Sequence, residues 1–122
     1  MELLHKDITG QIIGAAIEVY KELGYGFLEA VYQKAMKVEL EFRGLVAELE
    51  NKIQVFYKGH EVGFYEADIL VNKCVIVELK VAKEYQKADE AQLLNELKAT
   101  RIKVGMLINF GQSKAEFKRM VF

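Results

Sequence analysis

Hydrophobic and polar positions along this chain change period as it proceeds. From Ile8 to Leu23 the apolar residues Ile12, Ile13, Ala16, Ile17, Tyr20 and Leu23 recur at helical spacings. They predict a helix with one apolar face. Asp7 or Thr9 is placed to cap its start, and Gly24 to stop it. After the tight link Gly24-Tyr25-Gly26, a second helix is predicted from about Leu28 to Phe42, with Val31, Ala35, Val38 and Phe42 on one stripe and Gly44 at its end. From Val46 the period shortens. Ile53, Val55 and Tyr57 alternate with polar residues, Lys58-Gly59-His60 is a turn, and Gly63 to Val71 and Cys74 to Val81 are further strands. Together they read as a three-stranded antiparallel meander. Polar residues 83–90 lead into a third helix, about Lys87 to Thr100, with Ala91, Leu94 and Leu97 or Leu93 inward. Lys103 to Phe110 is almost wholly apolar, the signature of a strand buried on both faces. Gly111-Gln112-Ser113 turns the chain into a last, amphipathic strand, Ala115 to Phe122.

The predicted order is α-α-β-β-β-α-β-β. Strands, then a helix, then a strand require one crossover, so the expected fold is α+β, with a mixed five-stranded sheet and flanking helices. The 122 residues are enough for one domain with a real core, and the expectation is a single domain over 1–122. No proline, repeat or low-complexity run marks an internal boundary.

Composition narrows the class. With 52% hydrophobic and 29% charged residues the chain reads as a globular protein, its apolar share high enough to suggest a homo-oligomeric surface. The net charge of -1 announces no global attraction to nucleic acid, although a local patch is compatible with it. Cys74 is the one cysteine, so no intrachain disulfide forms, and its simplest reading is a small buried apolar side chain. No stretch approaches a membrane span, and the opening MELLHKDITG lacks a signal-peptide pattern, so the expected location is the cytoplasm.

The stretch Ala67 to Lys80 carries the chemistry. Its two apolar arms flank the polar turn Asn72-Lys73, and each arm holds an acid: Asp68 in the first, Glu78 in the second, with Lys80 two residues on. A carboxylate among Ile, Leu and Val is costly unless paired, hydrogen-bonded or bound to a metal. Register sets a condition. A two-residue loop pairs Val71 with Cys74 and Asp68 with Val77, which sends Asp68 and Glu78 to opposite faces. A three-residue loop or a bulge restores a common face. Two carboxylates and a lysine suit a hard cation such as Mg2+, with phosphate as a further ligand. The lysine would orient the attacking water or stabilise the phosphorane. The same pattern also describes a solvated sheet face, and Glu29, in the first turn of the second helix, also reads as a simple complement to the helix dipole.

Asp68, Glu78, Leu79 and Lys80 resemble the motif of the PD-(D/E)XK nuclease superfamily. Gly26-Phe27-Leu28-Glu29-Ala30-Val31-Tyr32 resembles the signature of its GxxExxY branch, as do Tyr57-Lys58-Gly59, Gln92-Leu93-Leu94-Asn95 and Ile108-Asn109-Phe110-Gly111. The resemblance implies a restriction-endonuclease-like core and a nuclease that uses Mg2+ or Mn2+ on phosphodiesters, most simply in DNA, with a homodimer compatible. It implies Asp68, Glu78 and the Leu79 carbonyl as metal ligands, Lys80 as the catalytic lysine, and Glu29 and Gln92 as helical contributors. Lys83 and Lys87, and separately Lys114, Lys118 and Arg119, are candidate nucleic-acid contacts. The chain departs from the family pattern at Tyr20, Tyr25 and Glu96, the last adding negative charge where an aromatic is frequent. Two other readings are a non-catalytic module of this fold that binds nucleic acid or a protein, and an internal ion network in a protein that acts by oligomerising.

Overall fold

The computed structural model describes residues 4–122. The elements are α1 (Lys6–Leu23), α2 (Glu29–Phe42), β1 (Ala47–Tyr57), β2 (His60–Val71), β3 (Val75–Lys80), α3 (Lys87–Thr100), β4 (Val104–Phe110) and β5 (Ala115–Val121). The sheet order is β1-β2-β3-β4-β5, antiparallel except for the β3–β4 pair, which α3 connects. This is the expected α+β fold with a mixed five-stranded sheet.

Helices cover both faces, and the strands sort their side chains accordingly. Ile69, Val71, Val75, Val77, Leu79, Met106, Ile108 and Phe110 join Ile12, Ala16, Tyr32, Met36 and Leu40 in one core beneath α1 and α2. Leu70, Ile76 and Leu107 join Leu93 and Leu97 in a second core beneath α3. All seven residues of β4 are buried, as a near-continuous apolar run requires. Gly105 lets α3 approach, because a Cβ there would lie 3.0 Å from a Leu93 methyl.

The helices differ from their predicted faces. Each presents the sheet with a mixed set of side chains, so counting only large apolar residues misplaced the buried stripe. In α1 the buried residues include Thr9, Ala15 and Val19, while Ile17 points outward. Thr9 does not cap: its hydroxyl donates to the Lys6 carbonyl, and the helix begins after His5. In α2 the core face is Tyr32, Gln33, Met36 and Leu40, and the predicted stripe of Val31, Val38 and Phe42 lies on the exposed side. In α3, Leu93, Glu96 and Leu97 are buried and Leu94 is exposed. Strand β2 starts at His60, three residues before its predicted start.

The hairpin between β2 and β3 meets the register condition. Val71 pairs with Val75, so the loop is the three residues Asn72-Lys73-Cys74, with φ of 49° and 58° at the first two. Cys74 thus lies in the loop, half-buried, and burial raises its thiol pKa, which makes it a poor nucleophile.

Beyond β3 the chain is held by β4. The buried Asn109 accepts the Ala82 N–H at 2.9 Å and donates to the Ala82 carbonyl at 3.0 Å and to Glu116 at 2.9 Å. Gly111 follows, and a Cβ there would lie 2.7 Å from the Lys114 carbonyl and 3.1 Å from that of Lys83. Both obstacles are backbone and cannot swing aside. Gly111→Ala is expected to cost about 1–3 kcal/mol in urea unfolding, with the far-ultraviolet spectrum retained.

Candidate active site

The site forms where the β2–β3 ladder stops. Its last pair is Ile69 with Val77, and one step further the register sets Asp68 opposite Glu78. There the strands cease to pair. Asp68 Oδ2 accepts the Leu79 N–H at 2.8 Å, so a side chain replaces the missing backbone acceptor. The other neighbour of Asp68 is also irregular: Glu50 of β1, between the pairs Leu49–Ile69 and Asn51–Ala67, has φ of 50° and makes no ladder pair. The freed Asp68 carbonyl accepts from Gln33 Nε2 of α2 at 2.8 Å. Asp68 is therefore fixed by a strand on one side and a helix on the other.

The glycine-rich link sets the start of α2. Gly26 has φ of 115°, a conformation that a side chain would oppose. Tyr32 is fully buried, stacks on Phe110 with centroids 4.3 Å apart, donates its hydroxyl to the Gly24 carbonyl and accepts the Phe27 N–H at 3.3 Å. This clamp fixes the first turn of α2 and with it Glu29, whose carboxyl pKa is raised by burial and then by the neighbouring Asp68 charge and hydrogen bond. The Lys80 charge acts in the opposite direction on Glu29.

From the other layer, α3 closes the site. A narrow cleft is lined by Glu78, Lys80, Asp89, Gln92, Leu93, Glu96 and Leu107. Its enclosed volume is about 10 Å³, room for about one water-sized group. Glu78 is pushed up to about 10, first by burial, then by the charges of Asp68 and Glu96 and by hydrogen bonds to both. Its Oε1 is buried and receives no hydrogen bond. Glu96 is itself buried and raised by desolvation first, while its hydrogen bond with Glu78 and the Lys80 charge pull it down. Lys80 Nζ stands 3.8 Å from Asp89 Oδ1, and the other Asp89 oxygen takes the Gln86 N–H in the capping box of α3.

The structure thus brings together Asp68, Glu78, Lys80 and Glu29, and places Gln92 on the cleft wall. Leu79 enters through its N–H to Asp68. Lys83 lies outside this cleft, in a separate depression with Glu84, Gln112, Ser113, Lys114 and Glu116, and Lys87 is exposed at the start of α3. Three residues of the site were missed in the sequence: Gln33, Glu96 and Asp89, the last standing nine residues after Lys80. Gln33 stands one turn after Glu29, a spacing that places both on one side of α2. Glu96 stands four residues after Gln92 and three after Leu93, so its departure from the expected aromatic marked an inward position.

Four carboxylates around one lysine are chemically suited to a hard divalent cation, which prefers oxygen donors. The orphaned, buried Oε1 of Glu78 fits that need. Among the described residues no group of three or more His, Cys, Asp or Glu side chains is arranged as a metal-binding set. The fit is therefore to a cation that takes one or two carboxylates and completes its shell with water and substrate oxygen, as Mg2+ commonly does.

A family model described as the PD-(D/E)XK nuclease superfamily matches residues 6–120. The chain belongs to the PD-(D/E)XK nuclease superfamily. No curated protein matches it. A solved structure described as "Crystal structure of SSO0001" is similar over 98% of this chain and 69% of that one, at 15% identity and a TM-score of 0.48. The superfamily match covers all eight elements but the last residue of β5, and nuclease-type function follows from it.

The raised acid pKa gives a stability profile with a definite sign. A carboxyl at about 10 in the fold and near 4.5 unfolded keeps its proton only in the folded state between those values. Unfolding then releases a proton, so metal-free stability falls as pH rises through that window. Glu78→Gln removes the ionisation. It is expected to flatten the decline and raise the melting temperature at pH 8, measured by calorimetry in EDTA. An unchanged slope would contradict the assignment.

Proposed function

We propose that the chain is a divalent-metal-dependent nuclease that hydrolyses phosphodiester bonds in DNA and lies in the GxxExxY branch of the superfamily. The observation that carries the reading is the buried, donor-less Oε1 of Glu78, whose carboxyl neighbours Asp68 and Glu96, with Glu29 in turn beside the Asp68 carboxylate. Such an atom calls for a cation. Asp68, through the oxygen not engaged by Leu79, and Glu78 are the residues that would hold Mg2+ or Mn2+, with the Leu79 carbonyl as a further candidate ligand. When bound, the cation supplies positive charge that offsets the carboxylates and polarises a phosphoryl oxygen.

The remaining work belongs to the chain's own groups. Asp68 is held from both sides, so its free oxygen is pre-positioned and little ordering remains when substrate arrives. Lys80 donates from its ammonium toward the attacking water or the developing phosphorane charge, and Asp89 keeps it at the cleft mouth. Glu29 and Glu96 accept hydrogen bonds from water in the site from opposite layers. Gln92 presents an amide on the cleft wall for a phosphate oxygen. Lys83 and Lys87 offer exposed cations for the nucleic-acid backbone. A net charge of -1 gives little long-range attraction, so affinity is expected to depend on these local contacts and on the metal.

Asp68→Asn keeps an acceptor for the Leu79 N–H and removes the charge, and Lys80→Ala removes the ammonium. Each is expected to lower Mn2+-dependent cleavage of duplex, branched or single-stranded DNA at least about 100-fold with the fold retained, and EDTA to abolish it in the wild type. Cleavage by Asp68→Asn at the wild-type rate would contradict the reading. Salt-dependent DNA binding with no turnover by the wild type in Mg2+ or Mn2+ would favour the non-catalytic module.

A further inference from the structure

Helix α2 carries a second apolar face that the monomer leaves bare. Away from its core residues, Val31, Ala35, Val38 and Phe42, preceded by Leu28 at the extended N-cap, follow one another at steps of three and four. Leu28 is 79% exposed, Val31 38%, Val38 54% and Phe42 82%. These steps are the a and d spacing of a helix-pairing seam. Core packing of the monomer takes only the half-buried Ala35, which rests against the first core, and does not explain Leu28, Val31, Val38 or Phe42.

The order of sizes along the stripe identifies what covers it. Ala35 is at the centre, a valine stands one turn away on each side, and the bulky Leu28 and Phe42 stand seven residues away on each side. An antiparallel copy of the same helix sets Ala35 against Ala35, Val31 against Val38, and Leu28 against Phe42. Small residues at the centre let the two axes approach, and large ones fill the ends. This is the self-complementarity that a two-fold interface requires. A groove between α1 and α2, lined by Val19, Leu23, Ala35 and Val38 together with the acids Glu18, Glu22 and Glu39, offers a recess for side chains of the second helix.

The area is sufficient. The four large side chains expose roughly 450 Å² of surface and Phe27 adds roughly 100 Å², so a two-fold pair can bury on the order of 1,000 Å² in total, the lower bound of a specific interface. The flanking positions of α2 carry both signs, Lys34 and Lys37 with Glu39 and Glu41, whereas the groove toward α1 is acidic, and Lys34 and Lys37 of the copy are the cations available to it.

We propose that α2 is the two-fold seam of a homodimer, paired antiparallel about Ala35. Glu29 lies in the first turn of α2, so the pairing sets the two Glu29 residues about 18 Å apart along the seam, twelve residues at the helical rise. The two carboxylate clusters then sit at opposite ends of one shared element. That they act on one nucleic acid rests on the nuclease reading, whereas the dimer itself does not.

Sedimentation velocity between about 1 and 300 µM tests the seam without any cleavage assay. The expected result is a mass that rises with concentration from 14.0 kDa toward twice that value, and a shift back to monomer in Val38→Glu and Phe42→Glu with unchanged circular dichroism. A second arm uses a Cys74→Ser background. Oxidised Ala35→Cys is expected to cross-link to a covalent dimer, and Lys98→Cys on α3 is not. A 14.0 kDa species at every concentration overturns the proposal and leaves the stripe to a different protein partner. A dimer that both glutamates leave intact and that Ala35→Cys fails to cross-link also overturns it.

Discussion

The site depends on one substituted hydrogen bond. Where β2 and β3 should exchange backbone bonds, the Leu79 N–H finds the carboxylate of Asp68 instead. A buried N–H without an acceptor would cost about 1–3 kcal/mol, so the side chain is what permits the ladder to end there. The Asp68 carbonyl, released from β1 by the turn of Glu50 into the left-handed region, is taken up by Gln33. With both strands parted, α2 reaches in from one layer with Glu29 and α3 from the other with Glu96. A regular ladder would have kept those layers apart.

Much of the architecture was legible because it rests on periodicity. The crossover, the doubly buried β4 and the mixed sheet follow from where apolar runs shorten and lengthen. The parity of the hairpin was legible as a condition, since Asp68 and Glu78 share a site only with an odd loop, and the loop has three residues. The buried helix faces were less legible. Thr9, Ala15, Gln33 and Glu96 are buried for reasons of contact and hydrogen bonding that hydrophobicity does not encode. In α2 two apolar stripes coexist, and nothing in the one-dimensional pattern says which meets the sheet. Gln33 escaped notice because its partner is a backbone carbonyl 35 residues away.

The motif residues acquire physical roles from their contacts. Tyr32 joins the glycine link to the core through both edges of its hydroxyl, which is why the link and the helical acid occur together. Asn109 and Gly111 secure the chain just after Lys80, one by two hydrogen bonds to Ala82 and one by leaving room for two carbonyls. The electrostatics run against the fold: burial and like charge raise Glu29, Glu78 and Glu96 together. A site of this kind lowers the stability of the empty protein and is sustained by the two cores around it, a common relation between function and stability.

The central claim is that the opened ladder creates a cation site whose acids must lose a proton to bind. Calorimetric titration with Mn2+ in two buffers of different ionisation enthalpy measures this directly. The account predicts saturable binding with proton release at pH 7, because a Glu78 carboxyl at about 10 is protonated before the cation arrives. It also predicts that proton release disappears in Glu78→Gln. Absence of saturable Mn2+ binding, or binding with no buffer dependence in the wild type, would contradict it.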